Sequence, residues 1–299
     1  AGHRVGPVGP RFVRVWFPML AACVLRIAPA RLHATSEFYR KSLGMVEVDL
    51  EAPNVLLELR VPGKTKSCAV RLVVEDTAKV AYSPGKNDLY WKIGLAVDDV
   101  QAAAARLGLE PGSQFRDIGF LKHLADPAGF CIELLQTTFE SSAAERAERL
   151  TRPVANKAII AQDFVIGQIT TRITDPKRSL DFYQRVMGMK LLSVQEVAPY
   201  GFTLYFLAYT EDTPPNAELE AVENREWLYQ REYTTLELQH RWEYRPGSLR
   251  LPADEEEGLV GIVVRLPAEE LRRLAAESED RSEPVLHDPD GLRIQLEPL

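Results

Sequence analysis

The run Ile166–Met189, IGQITTRITDPKRSLDFYQRVMGM, holds polar side chains at alternate positions of what reads as a strand followed by a helix. Alternation puts Gln168, Thr170 and Arg172 on one strand face and Gly167, Ile169, Thr171 and Ile173 on the other. Gln168 is thereby a candidate metal ligand, and the chemistry open to it is that of a bound Lewis-acidic ion. Asp175 then serves as helix N-cap, Pro176 as first helical residue and Gly188 as the stop, with Leu180, Tyr183 and Met187 as the apolar stripe. Other chemistries leave no trace: there is no Gly-rich phosphate loop, no Ser-His-Asp ordering and no zinc-type CxxC. Cys23, Cys68 and Cys131 are unclustered in apolar surroundings and read as buried thiols in a reducing compartment. His33, His123 and His287 have no clustered acidic or cysteine partners in sequence and read as surface or turn positions.

The elements that must position these residues repeat. Phe38-Tyr39-Arg40-Lys41-Ser42-Leu43-Gly44-Met45 matches Phe182-Tyr183-Gln184-Arg185-Val186-Met187-Gly188-Met189, and Asp126-Pro127-Ala128-Gly129 matches Asp288-Pro289-Asp290-Gly291. The chain therefore reads as a duplication in which each DP-x-G turn opens a final strand.

A length of 299 residues fits about two domains. The predicted boundaries are a basic arm at 1–20, a first domain at 21–136, a linker at 137–163 with a charged helix at Glu140 to Leu150, and a second domain at 164–299. Each domain holds two units of order β-α-β-β with room for one more short strand. Four such units make an α+β fold of two curved mixed sheets, each cupping a concave face. A net charge of −7 argues against a nucleic-acid partner. Before Glu37 there is no acidic residue but Arg4, Arg11, Arg14, Arg26 and Arg31, which fits an organellar, for instance mitochondrial, presequence remnant and an arm that docks on a larger assembly. Phe12 to Ala30 is apolar, but Arg14, Pro18 and Arg26 interrupt it, and no transmembrane helix is predicted.

The second half resembles glyoxalase I, in the vicinal oxygen chelate superfamily. The resemblance rests on QITTR with DPKRSLDFY, on FTLYFLAY, on TLEL at Thr235–Leu238 and on DPDG. The first half resembles the wider superfamily through FYRKSLGM, KIGLAVDDV and DPAGFCIELLQ. The resemblance implies tandem domains of paired βαβββ modules. It also implies a divalent metal, zinc or nickel, and isomerisation of the glutathione thiohemiacetal of methylglyoxal to lactoylglutathione. The metal would polarise the substrate oxygens while a carboxylate moves the proton.

Carried over by motif with ligands shared across the halves, one metal site takes Gln168 and Glu237 from the second half and Lys92 and Glu133 from the first, with Lys92 where the family has His; ligands kept within each half would instead leave Gln168 and Glu237 with Leu259 and Gln295. Glu133 would be the proton-transfer base. The other site takes Ala22, a position near Arg71 to Val73, Leu259 and Gln295, and lacks ligands. On the glutathione side, Arg172 matches a carboxylate-binding arginine and Arg241 stands where the family has Asn. His240 falls on the strand face opposite Glu237. A protonated lysine about 4 Å from a divalent ion would be repelled by roughly 8 kcal/mol at an effective dielectric near 20. Lys92 is therefore either deprotonated or a replacement for the metal, and two carboxylates favour replacement. Three functions follow: an accessory or structural subunit with degenerate metal sites, a working lactoylglutathione lyase-type isomerase, or a small-molecule binding protein. Fold alone does not choose among them.

Overall fold

The computed structural model describes residues 17–48, 57–115, 119–139, 164–278 and 284–299. The basic arm up to residue 16 and the charged linker run lie outside the described residues.

Four modules follow one another. The first contains β1 (Met19–Ile27), α1 (Pro29–Glu37), β2 (Val46–Val48), β3 (Leu57–Arg60) and β4 (Ala69–Val74). The second contains β5 (Tyr90–Val97), α2 (Val100–Arg106), β6 (Ser113–Gln114), β7 (Phe120–Ala125) and β8 (Cys131–Gln136). The third contains β9 (Phe164–Ile173), α3 (Pro176–Asp181), β10 (Lys190–Val197), β11 (Phe202–Ala208), α4 (Val222–Tyr229) and β12 (Thr235–Arg241). The fourth contains β13 (Gly258–Leu266), α5 (Ala268–Ala275), β14 (Val285–His287) and β15 (Arg293–Pro298). The polar segment Glu211 to Glu226, between β11 and β12, ends within α4.

Local sequence explains the element ends. Asp99 and Asp175 cap α2 and α3 by accepting from the amides of Ala102 and Arg178. The helices α1 and α3 each run into one wider turn, closed by bonds from Leu43 N to Phe38 O and from Met187 N to Phe182 O. Gly44 and Gly188 then stop them at φ of 69° and 75°, where a Cβ would be strained.

Strand pairing crosses the halves. One sheet has the order β14-β15-β13-β1-β4-β3-β2 and joins the first module to the fourth. The other has the order β10-β11-β12-β9-β5-β8-β7-β6 and joins the second to the third. The seams are the antiparallel pairs β1·β13 and β5·β9. One contiguous apolar cluster, from Leu20 and Leu25 through Ile93, Ile169 and Leu236 to Ile294, runs through both sequence halves.

Each seam carries two register shifts, and these decide which side chains face the cup. On β5·β9 the shifts fall at Trp91 and at Gly167, and on β1·β13 at Ala21 and Val260. A bulge reverses the alternation of the strand behind it. Strict alternation along β5 would set Trp91 on the face opposite Lys92. The bulge turns Trp91 into the same cavity instead, and the Lys92 ammonium lies 4.0 Å from its ring centroid.

Candidate functional site

On the seam of the eight-stranded sheet, Lys92 lies opposite Thr170 and Gly94 opposite Gln168. Thr170 in turn pairs with Glu237 on β12, and Gly94 with Glu133 on β8. Four strands thus converge side chains from both halves on one point. Gly94 makes room for them: a Cβ there would sit 2.3 Å from the Cγ of Gln168.

The Lys92 Nζ lies 2.5 Å from Glu133 Oε2 and 4.0 Å from Glu237 Oε1. Gln168 donates to Glu237 Oε2 and, at 3.3 Å, to Glu133 Oε2. Thr170 donates to Glu237 Oε2 at 2.9 Å. Lys92, Glu133, Gln168 and Glu237 are all buried. Burial alone would discharge Lys92, but Glu133 and Glu237 outweigh it and hold the ammonium charged, above the usual lysine range. Burial pushes Glu133 up, while Lys92 and His123 together bring it down to about 2. Burial and the neighbouring Glu133 charge leave Glu237 raised, against the pull of Lys92 and Thr170.

His123 belongs to this cluster: its Nε2 lies 3.0 Å from Glu133 Oε1. Sequence reading placed it at the surface, and with its side chain 44% exposed it does reach solvent, but its other end closes the site. The signal that finds it is hairpin symmetry. Counting outward from the turn that follows Asp126 pairs Ala125 with Cys131, Leu124 with Ile132 and His123 with Glu133.

The geometry also revises the roles assigned to Glu133 and to the two arginines. A carboxylate held ionised down to about 2 by Lys92 and His123 is a weak base near neutrality, which does not suit Glu133 to proton abstraction. The Arg172 guanidinium is spent on the fold: it donates to the carbonyls of Gly85, Asp88 and Tyr90 and to Gln239 Oε1. Arg241 donates to Glu243. Neither arginine lines the cavity above the cluster. His240 is half-exposed on the same strand as Glu237 and stays outside that cavity.

The cavity has a volume of about 320 Å³. Its floor is Lys92, Glu133, His123 and Glu237, and its walls include Trp91, Phe115, Tyr200, Phe202, Leu204 and Tyr229. Phe115 stacks on Tyr200 with ring centroids 5.9 Å apart, and Trp91 meets Phe202 edge to face at 5.8 Å.

The pseudo-symmetric position on the other seam is also filled. There Val24 pairs with Gly261 and with Arg71, as Thr170 pairs with Lys92 and Glu237. The counterpart of Lys92 is therefore Gly261 and not the Leu259 expected from motif counting, with the bulge at Val260 matching the one at Trp91. The counterpart of Glu237 is Arg71. Its buried guanidinium donates to Glu58 Oε2 at 2.6 Å and grips both oxygens of Glu297 at 2.5 and 3.0 Å. At both positions a basic side chain sits between carboxylates from different strands.

Among the described residues no group of three or more His, Cys, Asp and Glu side chains has the arrangement of a metal site. Gln168, Glu133 and Glu237 supply oxygen donors, but the Lys92 ammonium stands against both carboxylates and carries the charge that an ion would bring. As built, these residues fit an ammonium and not a divalent ion.

Residues 165–230 match the model of the Glyoxalase/Bleomycin resistance protein/Dioxygenase superfamily. The chain is 42% identical over 85 residues to lactoylglutathione lyase of Pseudomonas aeruginosa, covering 28% of this chain and 46% of that protein. It is 31% identical over 156 residues to lactoylglutathione lyase of Schizosaccharomyces pombe, covering 50% of this chain and 41% of that protein. Glyoxalase I from Zea mays superposes with a TM-score of 0.56 at 18% identity, covering 93% of this chain and 92% of that one. The matched segment is thus similar to that superfamily, and the chain as a whole is glyoxalase I-like. Its α+β tandem architecture is that of the maize structure, whose low identity carries the fold and nothing more. The matched stretches span less than half the length of the curated relatives.

Proposed function

We propose that this glyoxalase I-like chain has exchanged its metal for Lys92 and serves as a small-molecule-binding or accessory module, not as an efficient metal-dependent isomerase. The observation that carries this reading is the Lys92 ammonium 2.5 Å from Glu133 and 4.0 Å from Glu237. It supplies the countercharge of an ion without an open coordination position, so nothing is left to polarise a substrate carbonyl as a metal would. A glutathione adduct as ligand draws less support, because Arg172 is committed to backbone carbonyls. The accessory role in an organellar, for instance mitochondrial, assembly rests on the basic run Arg4, Arg11 and Arg14.

A second reading, an active lactoylglutathione lyase-type enzyme with one zinc or nickel ion on Gln168, Glu133 and Glu237, draws on the likeness to proteins of that name. Elemental analysis of the purified chain beside an identically prepared Lys92→His variant separates the two. The expected result is a native chain without stoichiometric metal and a variant that gains it. Near-stoichiometric zinc, nickel or iron in the native chain overturns the proposal and makes assay with the glutathione thiohemiacetal the next step.

A further inference from the structure

Glu237 is 1% exposed and is among the residues that line the cavity, and its Oε1 is buried and accepts no hydrogen bond. Its other oxygen is saturated by Gln168 and Thr170, and Lys92, 4.0 Å from Oε1, is turned toward Glu133. A buried carboxylate oxygen without a donor is costly, and native structures place a partner there. The space over it is an aromatic slot: Phe115 and Tyr200 stack at 26°, Tyr200 and Phe202 at 23°, and Trp91 closes the end. Such walls accept a flat ring; Ser113, Gln195 and Arg225 also line the cavity, but the acceptor left without a donor is on Glu237.

The geometry points to a ligand class: a planar aromatic small molecule with a single O–H or N–H donor, of which a phenol is the simplest, lying between Tyr200, Phe202 and Trp91 and donating to Glu237 Oε1. This rests on the metal-free reading of the site and names what would occupy it. His123, half-exposed beside Glu133, lies on the floor at one side, and Lys92 remains paired throughout.

The test uses the full chain, its metal content measured on the same sample, titrated with 4-methylphenol and with toluene by calorimetry. The phenol should bind about tenfold or more tighter, the worth of one hydrogen bond to a charged acceptor. Glu237→Met should abolish that preference and leave toluene binding within about twofold, and Glu237→Gln, which keeps an acceptor oxygen, should retain part of it. Equal binding of the two probes by the native chain, binding of neither, or a preference that survives in Glu237→Met overturns the proposal. The native comparison decides even if a variant does not fold. A sample that carries metal defeats the metal-free reading whatever the phenol does, whereas a metal-free sample without preference defeats the ligand class alone.

Discussion

The Tyr183 hydroxyl donates a 2.9 Å hydrogen bond to Asp288, and Tyr39 makes the same bond to Asp126 at 3.1 Å. Each tyrosine comes from the FY pair that ends a helix of one module, and each aspartate opens the DP-x-G turn of the next. Both repeated motifs of the sequence are thus halves of one contact, made twice. The second oxygen of each aspartate accepts two backbone amides, those of Ala128 and Phe130 or of Asp290 and Leu292, so the turn and the helix end are fixed together.

Tyr183→Phe should lower stability by about 1.5–3 kcal/mol, the range for a hydrogen bond to a charged group. Urea unfolding at neutral pH checks this, and Tyr39→Phe should lie close to it. A loss under about 0.5 kcal/mol in both would mean that the buried carboxylates find other donors.

The same aspartates predict a pH dependence. Burial pushes Asp126 and Asp288 up to about 6 from an ordinary 3.8, although their hydrogen bonds pull the other way. The folded state then holds those protons more tightly, so their stabilisation is present below the ordinary value and is lost as pH rises to about 6. Glu133, brought down to about 2 from an ordinary 4.5, acts oppositely: its contribution is present above the ordinary value and is lost as pH falls toward 2. Thermal unfolding across this range should show the midpoint falling between about pH 4 and 6. Asp288→Asn should shrink that fall, and an unchanged slope would remove Asp288 as its cause.

Lys92→Met should cost about 3–5 kcal/mol, because it leaves Glu133 and Glu237 buried without a countercharge. Adding Glu133→Gln should recover much of the loss. Chemical denaturation of the native chain, the single variants and the double variant closes the cycle, and strict additivity would show that the lysine and the carboxylate are uncoupled.

Gly94→Ala puts a Cβ 2.3 Å from Gln168 Cγ and 3.0 Å from Leu135 Cδ1. It should cost about 1–3 kcal/mol as overpacking and push Gln168 off Glu237. Gln168→Ala in the same chain removes the first clash, so the double variant should be more stable than the sum of the single losses allows, measured by urea midpoint.

Much of this was legible before any coordinates. The Asp175 cap, the Gly188 stop and the duplicated turn follow from periodicity and turn chemistry, while the convergence of Lys92, Glu133, Gln168 and Glu237 is one of the two ligand assignments that the resemblance to glyoxalase I implied. The side of the sheet on which Trp91 stands was not legible because a one-residue bulge shifts the parity of its strand, and nothing in the local composition announces it. His123 was missed because its partner lies across a hairpin and not beside it in sequence. The binding role of Arg172 was carried over from the family motif, while its surroundings are set by the carbonyls of Gly85, Asp88 and Tyr90, whose position depends on tertiary packing.

The crossed pairing of the sheets makes this single chain the covalent equivalent of a two-fold dimer. In a dimer of identical subunits every substitution is written twice, once into each site. Here each seam is coded by its own residues, so one could acquire Lys92 and the other Arg71 with neither change imposed on its counterpart. Linking the halves turned two copies of one site into two independent loci, free to be closed in different ways or to leave one open for a ligand.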